Sequence, residues 1–365
     1  MSKPDVSVVI TFFREGAVLR ETIESALDQT YPDTEVVLVD NNASPETRQV
    51  ALDYVARFPQ TVRLVHEPIQ GVAASKNRGL IESRGEFVAI LDGDDLMLPE
   101  RLSLQREAFR NNPKLSLVST WLDRVSMDNQ IEVRKNIRQT EPNIWLETEQ
   151  IVKGLFPIST FPQSGSGETL HFPLISTAFF RKETAIKVGG FNNAFNPRWF
   201  EDIEFFIRMY EMGEFYKVPQ SLVRYRISSP EAMEVKLKQM DWLGLCRQRD
   251  LFYQILWNRF GDDTPKTASV FKKLKALWYR HESFNFFRYR QGTSLGKRML
   301  EHAIKNNPRD LTAWKLWLKA QFPQAMHPKL FWFGELQGDP LPSGATIETV
   351  DTLFRTQPVQ IGKRR

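Results

Sequence analysis

The chain has 365 residues, of which 41% are hydrophobic and 12% aromatic. This length and composition allow two or three domains with packed cores and exclude wholesale disorder. The single cysteine, Cys246, excludes an intramolecular disulfide and a cysteine-based metal cage, and it favours a reducing compartment. No stretch approaches the roughly 18 uncharged apolar residues of a membrane span, so we expect a cytoplasmic protein that is soluble or peripheral at the inner face of a membrane.

Charge is distributed unevenly along the chain. Residues 1–230 carry 26 Lys or Arg against 31 Asp or Glu, whereas residues 231–365 carry 23 against 13. The basic part can attract phosphate-rich surfaces, whether nucleic acid or anionic lipid, and charge alone does not choose between them.

Strand and helix patterns alternate through the first third of the chain. Apolar or β-branched runs predict strands, and a helical pattern follows each of the first four. Ser44 and Pro45 have the residue types of a helix N-cap and first helical position. Successive strand–helix units predict an α/β fold with a mostly parallel, Rossmann-like sheet flanked by helices. The predicted strands are Val6 to Thr11, Glu35 to Val39, Val62 to Val65, Glu86 to Leu91 and Leu115 to Thr120.

A cluster of acidic residues follows the fourth strand. Asp92, Asp94 and Asp95 surround Gly93, and Pro99 then opens a helical segment. In open α/β sheets ligands bind at the carboxyl ends of the strands, and clustered carboxylates suit a hard divalent cation. We therefore expect three carboxylates at the ligand-binding edge. The alternative is a solvated acidic turn that caps the next helix.

The pattern weakens between about residues 126 and 170, where Pro, Gly and Ser are frequent. From Glu231 onward, apolar residues recur every three or four positions, so a mainly helical appendage begins near Ser229. Between these regions an ordered pattern returns at Phe172 to Phe180. We then predict a helix at Lys182 to Val188, a stronger helix in PRWFEDIEFFIRMYEMG, and short strands at Phe215 to Val218 and Leu222 to Tyr225.

Five motifs occur in order along this part of the chain: VSVVITFFRE, LVDNNAS, GVAASKNRGL, LDGDDLMLPERL and GGFNNAFNPRWFEDIEF. With them, the chain from about Asp5 to Arg226 resembles the family-two glycosyltransferases, which are inverting nucleotide-sugar enzymes with the GT-A fold. The resemblance implies a catalytic domain over residues 1–228, with a nucleotide-binding half at 1–120 and an acceptor-binding half at 121–228. Residues 229–365 form the basic, aromatic-rich helical region.

The resemblance implies a role for each matched position. Asp94 and Asp92 match the DxD element, so Asp94 would bind Mg²⁺ or Mn²⁺ and Asp92 would lie nearer the ribose or a metal-bound water. Asp202 matches the catalytic base, with Glu201 as the competing candidate and an ordinary acidic helix start as the alternative. The residues implied in binding a nucleotide-diphosphate sugar, with a UDP-sugar favoured, are Thr11, Phe13, Glu15, Asp40, Asn42, Lys76, Asn77, Arg78, Asp92 and Gly93.

These residue types suit a single displacement at a sugar carbon. A metal acting as Lewis acid stabilises the leaving nucleoside diphosphate, and a carboxylate on the opposite side takes the proton of the incoming hydroxyl. Thr11 and Asp40 would lie at the nucleotide base and ribose, and Lys76, where the family often has arginine, would offset pyrophosphate charge. The implied acceptor is a hydroxyl of a surface glycan or a lipid-linked saccharide.

One position departs from the family pattern. Many relatives carry a histidine shortly after a YR pair, where it can complete the metal shell, and this chain has LVRYRISSP with Ser228 near that place. Either water fills the coordination position, or Arg224 and Arg226 take part of the diphosphate charge.

The stretch from Lys266 to Arg298 carries nine Lys or Arg and one acidic residue, interleaved with Phe, Trp and Tyr. It fits peripheral contact with an anionic membrane, or a helical subdomain whose aromatic residues form its own core. We expect no nucleic-acid binding, because no recognised RNA- or DNA-binding motif accompanies the charge. Downstream, AIKNNPRDLTAWKLWLKA predicts two helices separated at Pro308, with Trp314 and Trp317 on one face.

Two other functions compete with the glycosyltransferase interpretation. A nucleotidyltransferase on a similar sheet would favour a glycine- and lysine-rich phosphate loop after the first strand, and TFFREGAV contains one glycine. A non-catalytic glycan-binding or assembly scaffold would use the basic helices as its working surface and would not need Asp92, Asp94 and Asp202. The glycosyltransferase interpretation therefore leads.

Overall fold

The computed structural model describes residues 3–130, 173–197, 200–227, 242–260 and 293–321, with several further positions between 269 and 283. The chain divides into two compact units. The first comprises Met1–Thr140 and Ile158–Gln239, and the second comprises Glu141–Pro157 and Met240–Arg365. The acidic motifs singled out by the sequence all lie in the first unit.

An eight-stranded sheet forms the centre of the first unit. Its strands are β1 Val6–Phe12, β2 Thr34–Asp40, β3 Val62–His66, β4 Phe87–Asp92, β5 Leu96–Met97, β6 Leu115–Val125, β7 Phe179–Arg181 and β8 Glu214–Arg226. The strand order is β3-β2-β1-β4-β7-β6-β8-β5, and the pairs formed among β1 to β4 are all parallel. The α/β class and the parallel pairing of the first four strands are confirmed.

Helices follow the parallel strands, as the alternating pattern predicts. Those of the first unit are α1 Val18–Leu27, α2 Pro45–Arg57, α3 Val72–Glu82, α4 Arg101–Asn111, α5 Lys182–Lys187 and α6 Glu201–Tyr210. The Ser44 side chain accepts a hydrogen bond from the Thr47 amide at the start of α2, and Pro45 occupies the first turn. The predicted cap is confirmed.

The stretch predicted to be ordered at Phe172 to Phe180 contains two short elements. Ile175–Thr177 form a turn of 3-10 helix, and only Phe179–Arg181 form a strand, while Phe172 lies outside the described residues. The Thr177 hydroxyl donates a hydrogen bond to the Leu174 carbonyl at 2.7 Å. Such a local bond offers the backbone an alternative to a strand ladder.

The last strand is longer than expected. The two short strands predicted at 215–218 and 222–225 are one strand, β8, which pairs in parallel with β6. Its register against β6 shifts between Thr120 and Trp121, opposite the part of β8 that contains Pro219. Because proline has no amide hydrogen, it interrupts the ladder without ending the strand. Sequence reasoning did not find β5, which pairs antiparallel with β8.

Apolar side chains on both faces of the sheet form the core. Val8 and Ile10 belong to one buried cluster and Val9 to the other, as the two-residue period of a strand requires. The buried rings of Phe87 and Phe179 stack with their centroids 5.4 Å apart, which joins β4 to β7. The sheet is therefore covered on both faces and opens to ligands at its edges.

The second unit is helical in the part of the chain that the structure describes. Its helices are α7 Trp242–Phe260, α8 Thr293–Asn306 and α9 Leu311–Lys319. The predicted break near Pro308 is confirmed, since Asp310 caps α9 by accepting two backbone hydrogen bonds. The Trp314 and Trp317 rings are in contact, with centroids 6.1 Å apart. None of the helices in the described ranges has the length and apolar character needed to cross a bilayer.

Two described residues of the basic and aromatic stretch pack within the second unit. Tyr279 is 1% exposed and stacks on His302. Arg280 forms an ion pair with Asp310 at 2.7 Å. These two residues take part in the unit's own packing, as the core interpretation predicts.

Candidate active site

The carboxyl ends of β1, β2 and β4 meet at one edge of the sheet. The parallel register places Phe12 opposite Asp40 and Thr11 opposite Asp92. Open α/β sheets bind ligands at this edge. The structure thus brings together the motifs that the sequence predicts for the nucleotide and the metal.

Asp40 is buried at the end of β2. Its Oδ1 accepts a hydrogen bond from the Ala43 amide at 2.8 Å, and its Oδ2 lies 3.2 Å from the Arg48 guanidinium. His66 Nδ1 lies 3.7 Å from the same oxygen. Among the described residues no group donates a well-formed hydrogen bond to Oδ2, so this buried oxygen retains acceptor capacity.

Sequence reasoning missed Asn41, which organises the loop between β3 and α3. Its side-chain Nδ2 donates to the carbonyls of Glu67 and Ile69 at 3.0 and 2.7 Å. Its Oδ1 accepts from the Gly71 amide at 2.8 Å. The predicted residue Asn42 has φ of 60° and donates to the Pro68 carbonyl. Asparagine tolerates this left-handed backbone better than most residues, so the pair turns the chain at the end of β2.

The loop after β4 packs directly on β1. The Gly93 amide donates to the Thr11 carbonyl at 3.0 Å, and a Cβ on Gly93 would lie 2.9 Å from that oxygen. Thr22 of α1 donates to the Gly93 carbonyl at 3.0 Å. This close approach requires glycine, and it holds the half-buried carboxylates of Asp92 and Asp94 beside β1.

Glu15 lies beside this acidic loop. Its Oε2 accepts a hydrogen bond from the Phe13 amide at 2.5 Å. Burial, together with the charges of Asp94 and Asp92, raises the pKa of Glu15 to about 7, against the lowering effect of backbone hydrogen bonds. Phe13 and Glu15 therefore lie together, and the Glu15 carboxyl group is close enough to respond to charge at the loop.

Asp95 is fully buried, so the expectation of three carboxylates at the ligand-binding edge is wrong. Its Oδ1 accepts a hydrogen bond from the Arg226 amide at 3.1 Å. Burial, followed by the charges of Asp94 and Asp92, raises the pKa of Asp95 well above its usual range. Asp95 therefore joins the loop to β8, and two carboxylates remain for a ligand.

Arg226 holds the same loop from β8. Its Nη1 donates to the Asp94 carbonyl at 2.8 Å, and its Nη2 lies 2.5 Å from Glu21 Oε2. The side chain has no exposed surface, so the structure does not fit the alternative in which Arg226 takes part of a diphosphate charge. Ser228, near the place of the family's histidine, lies outside the described residues.

Asp92 and Asp94 are the carboxylates of the loop that fit a divalent cation. Within the described ranges, no group of three or more His, Cys, Asp or Glu side chains is placed to hold a metal ion. Mg²⁺ commonly takes one or two carboxylates and completes its shell with substrate phosphates and water. The pair therefore fits a cation shared with a substrate and does not fit an all-protein cage.

Lys76 on α3 connects the two acidic motifs. It is buried, and its Nζ lies 2.8 Å from Glu201 Oε1 and 4.0 Å from Asp92 Oδ1. Burial alone would lower the pKa of this amine, but the charges of Glu201, Asp92 and Asp202 outweigh burial and raise it. Lys76 is therefore a fixed cation between motifs that are far apart in sequence.

Glu201 and Asp202 begin α6 in different surroundings. Glu201 is buried and paired with Lys76, whereas Asp202 is half-buried and accepts a hydrogen bond from the Ile203 amide at 2.7 Å. Burial, followed by the charge of Glu201, raises the pKa of Asp202 to about 7, although Lys76 opposes the shift. The helix dipole at the start of α6 acts in the opposite direction and favours the ionised form.

The other two predicted residues of α3 contact protein groups. Asn77 donates to the Phe191 carbonyl and accepts from the Phe191 amide, both at 2.7 Å. Arg78 is 40% exposed in its side chain and forms an ion pair with Glu82 at 3.0 Å. Of these three neighbours on α3, Lys76 is therefore the one that lies between the two acidic motifs.

Asn196 is a second residue that sequence reasoning missed. Its Oδ1 accepts hydrogen bonds from the amides of Ala73 and Ala74 at 3.1 and 3.2 Å. It thereby caps α3 from a distant part of the chain, while the residue before the helix is Gly71. Because the capping residue is distant in the chain, the sequence around the start of α3 does not reveal it.

The chain is similar in sequence to known glycosyltransferases. The profile of Glycosyl transferase family 2 matches residues 7–183. Uncharacterized glycosyltransferase MJ1057 of Methanocaldococcus jannaschii is 34% identical over 124 residues, which are 33% of this chain and 43% of that protein. The match therefore spans less than half the length of this relative.

Two solved structures share the fold at 15% identity. Mannosyltransferase PcManGT from Pyrobaculum calidifontis, in complex with GDP-Man and Mn²⁺, superposes with a TM-score of 0.52. The superposition covers 91% of this chain and 84% of the mannosyltransferase chain. S. aureus TarS 1–349 in complex with UDP-GlcNAc superposes with a TM-score of 0.51, over 87% of this chain and 93% of the TarS chain. Both are GT-A glycosyltransferases, so the predicted GT-A fold is confirmed.

The family match includes four of the predicted motifs. It covers the strand ends at Thr11 and Asp40, the helix that carries Lys76, and the acidic loop from Asp92 to Asp94. The resemblance inferred from the sequence is therefore confirmed. Residues 7–183, just under half of the chain, match the model of glycosyl transferase family 2.

Proposed function

We propose that this chain is an inverting, metal-assisted glycosyltransferase of the hexosyltransferase type. It moves a sugar from a nucleotide-diphosphate sugar, with a UDP-sugar favoured, to a hydroxyl of a glycan or lipid-linked saccharide. The observation that carries the proposal is the position of Lys76, whose Nζ lies 4.0 Å from Asp92 and 2.8 Å from Glu201. This contact brings the base motif beside the metal motif.

The nucleotide edge supplies the donor site. Asp40 Oδ2 is a buried acceptor without a well-formed hydrogen bond among the described residues, which suits the imide N–H of uracil. The two structural neighbours bind GDP-Man and UDP-GlcNAc, which supports a nucleotide sugar as the donor class. We assign donor binding to Thr11, Phe13, Glu15, Asp40, Asn42, Lys76, Arg78, Asp92 and Gly93.

Asp94 and Asp92 hold the divalent cation, Mg²⁺ or Mn²⁺. When bound, the cation stabilises the charge of the departing nucleoside diphosphate. Lys76 adds a second positive charge beside Asp92, and its raised pKa keeps the ammonium protonated. Mn²⁺ in the mannosyltransferase neighbour supports a cation of this kind.

Asp202 is the general base. A carboxyl group with a pKa of about 7 has the proton affinity to take the acceptor's hydroxyl proton near neutral pH. Displacement from the side opposite the diphosphate then inverts the sugar carbon. Glu201 is the weaker candidate, because its carboxylate is already bound to Lys76 at 2.8 Å.

The acceptor side and the location extend the same proposal. Residues 121–228 receive the glycan, and residues 229–365 contact an anionic membrane from the cytoplasmic side, near a lipid-linked acceptor. The excess of 23 Lys or Arg over 13 Asp or Glu in residues 231–365 supports this contact. Nucleic acid is not a partner in the proposal.

A donor panel tests the proposal. The protein is incubated with UDP-, GDP- and dTDP-sugars and glycan acceptors, with Mn²⁺ or with EDTA, and release of the nucleoside diphosphate is measured. We expect cation-dependent release of UDP from at least one UDP-sugar. Release of pyrophosphate from a nucleoside triphosphate and a sugar phosphate would identify a nucleotidyltransferase instead, and binding without release would identify a scaffold.

A further inference from the structure

Helix α3 contacts the donor half of the site through its sheet-facing side. Gly79 allows an approach so close that an added Cβ would lie 2.2 Å from Val9 Cγ1. Val9 belongs to β1, the strand that carries Thr11 at the donor edge. Because interiors pack without free space, this contact fixes the position of α3 relative to the donor edge.

Residues 190–197, here called the segment, precede α6 and supply hydrogen-bond acceptors to the N-terminus of α3. The Val72 amide donates to the Pro197 carbonyl at 3.0 Å. The next two amides, of Ala73 and Ala74, donate to Asn196 Oδ1 at 3.1 and 3.2 Å. The first amides of a helix have no partner within it and often bind an anion. Here protein groups occupy them, so this helix end fastens the segment and does not bind donor phosphates.

Further along α3, Asn77 holds the beginning of the same segment. Its Nδ2 donates to the Phe191 carbonyl and its Oδ1 accepts from the Phe191 amide, both at 2.7 Å. A Cβ on Gly190 would lie 2.5 Å from Asn77 Oδ1, so the backbone approaches as closely as glycine allows. Both ends of the amide therefore fix one residue of the segment.

Lys76 lies between these contacts and reaches the first turn of α6. Its Nζ is bound to Glu201 at 2.8 Å, and Glu201 precedes Asp202. Residues 72–77 of α3 thus contact the segment at Phe191, at Asn196 and at the start of α6. The donor edge and the base motif are joined through one helix.

We propose that Asn77 and Asn196 are positioning residues that set Asp202 at a fixed distance from the donor edge. The inference rests on the proposed function, since it assigns how the base is aligned. The family resemblance implies Asn77 in donor binding; we assign it instead to the contact between α3 and the segment at 191, because both ends of its amide are bound to Phe191. Loss of either asparagine should displace Asp202 while the donor edge keeps its place, because sheet register holds that edge.

Three asparagine-to-alanine variants of the full chain test the proposal. Asn77→Ala and Asn196→Ala each remove one contact. Asn112→Ala is the matched control, because Asn112 bonds the Glu214 carboxylate and the Lys114 amide at 3.0 Å and makes neither contact with α3. Three quantities are measured: turnover at saturating donor, affinity for UDP with Mn²⁺ by calorimetry, and amide hydrogen exchange at residues 200–203.

We expect turnover of Asn77→Ala and Asn196→Ala to fall by ~10- to 10²-fold, since a displacement of about 1 Å can have that effect. Affinity for UDP should stay within about twofold of wild type, because the lost contacts act on the chemical step. Amide exchange at residues 200–203 should become faster, and exchange in β1 should not change. If the asparagines only stabilised the fold, turnover and affinity for UDP would change by the same factor, as we expect in Asn112→Ala.

Two results would overturn the proposal. One is unchanged exchange at residues 200–203 in both variants, which would count against it whatever the donor is. The other is turnover equal to that of Asn112→Ala. If wild-type protein bound no UDP, the donor assignment would fail instead, and the exchange measurement would still decide whether the asparagines position α6.

Discussion

The two halves of the first unit hold their site residues by different means. On the proposed donor side, Thr11, Asp40 and Asp92 lie at the ends of hydrogen-bonded parallel strands, so backbone register sets their spacing. On the proposed base side, α6 is fastened to α3 by side chains, among them the Lys76–Glu201 pair. Single substitutions should therefore displace the base side more easily than the donor side, where most of the frame is backbone.

The largest effect is expected on the donor side, at the metal loop. Asp94→Asn replaces a carboxylate by an amide and so removes the ligand charge that a hard cation needs. We expect Mn²⁺-dependent nucleotide binding to disappear in calorimetry. Asp128→Asn, which changes an exposed carboxylate outside the loop, should bind as wild type does. Unchanged binding by Asp94→Asn would remove Asp94 from the metal site.

The second effect concerns the base. Asp202→Asn should lower turnover by at least ~10²-fold, because the lost group acts when the acceptor proton is transferred. Donor affinity should remain nearly intact, since this interaction belongs to the chemical step. Turnover and nucleotide binding are measured under saturating donor beside Glu201→Gln. An active Asp202→Asn next to an inactive Glu201→Gln would transfer the role to Glu201.

The third prediction tests whether side chains hold the base side in place. Glu201→Gln leaves the buried Lys76 without its closest anion, and breaking a buried ion pair lowers the free energy of unfolding by ~3 kcal/mol or more. Glu82→Gln, which breaks the more exposed pair with Arg78, should lower it by about 0.5 kcal/mol or less. Urea denaturation measures both. Equal losses would show that the Lys76–Glu201 pair does not fasten α6.

A pH profile sharpens the same comparison. A carboxyl group with a pKa of about 7 is protonated at lower pH and cannot then accept a proton. The kcat/KM value should therefore fall about tenfold per pH unit below that pKa. Glu201→Gln removes a charge that raises the pKa of Asp202, so its acidic limb should move to lower pH. A profile that is flat across this range would remove Asp202 as the titrating base.

The contrast between the halves also explains what the sequence could predict. The donor side follows from strand periodicity and from short acidic motifs, so Thr11, Asp40 and the loop after β4 were placed correctly at one edge. Asn196 and Asp95 could not be placed in this way. Their contacts join residues far apart in the chain, and nothing local distinguishes the buried Asp95 from its half-buried neighbours.

The smallest effect is expected from the second unit. The excess of basic residues in 231–365 should give weak binding to anionic liposomes, because each cation near such a surface contributes about 1 kcal/mol and salt screens it. Sedimentation with anionic and neutral liposomes at low and high salt measures this binding. Equal sedimentation with both kinds of liposome at low salt would refute the electrostatic contact.

The most direct test of the whole account measures nucleotide binding and turnover in wild type, Asp94→Asn and Asp202→Asn side by side. Each protein is titrated with UDP in the presence of Mn²⁺, and UDP release is followed with the donor identified by the panel. The account predicts that wild type and Asp202→Asn bind UDP alike, that Asp94→Asn does not, and that wild type alone turns over at full rate. Loss of binding in Asp202→Asn with binding retained in Asp94→Asn would contradict it.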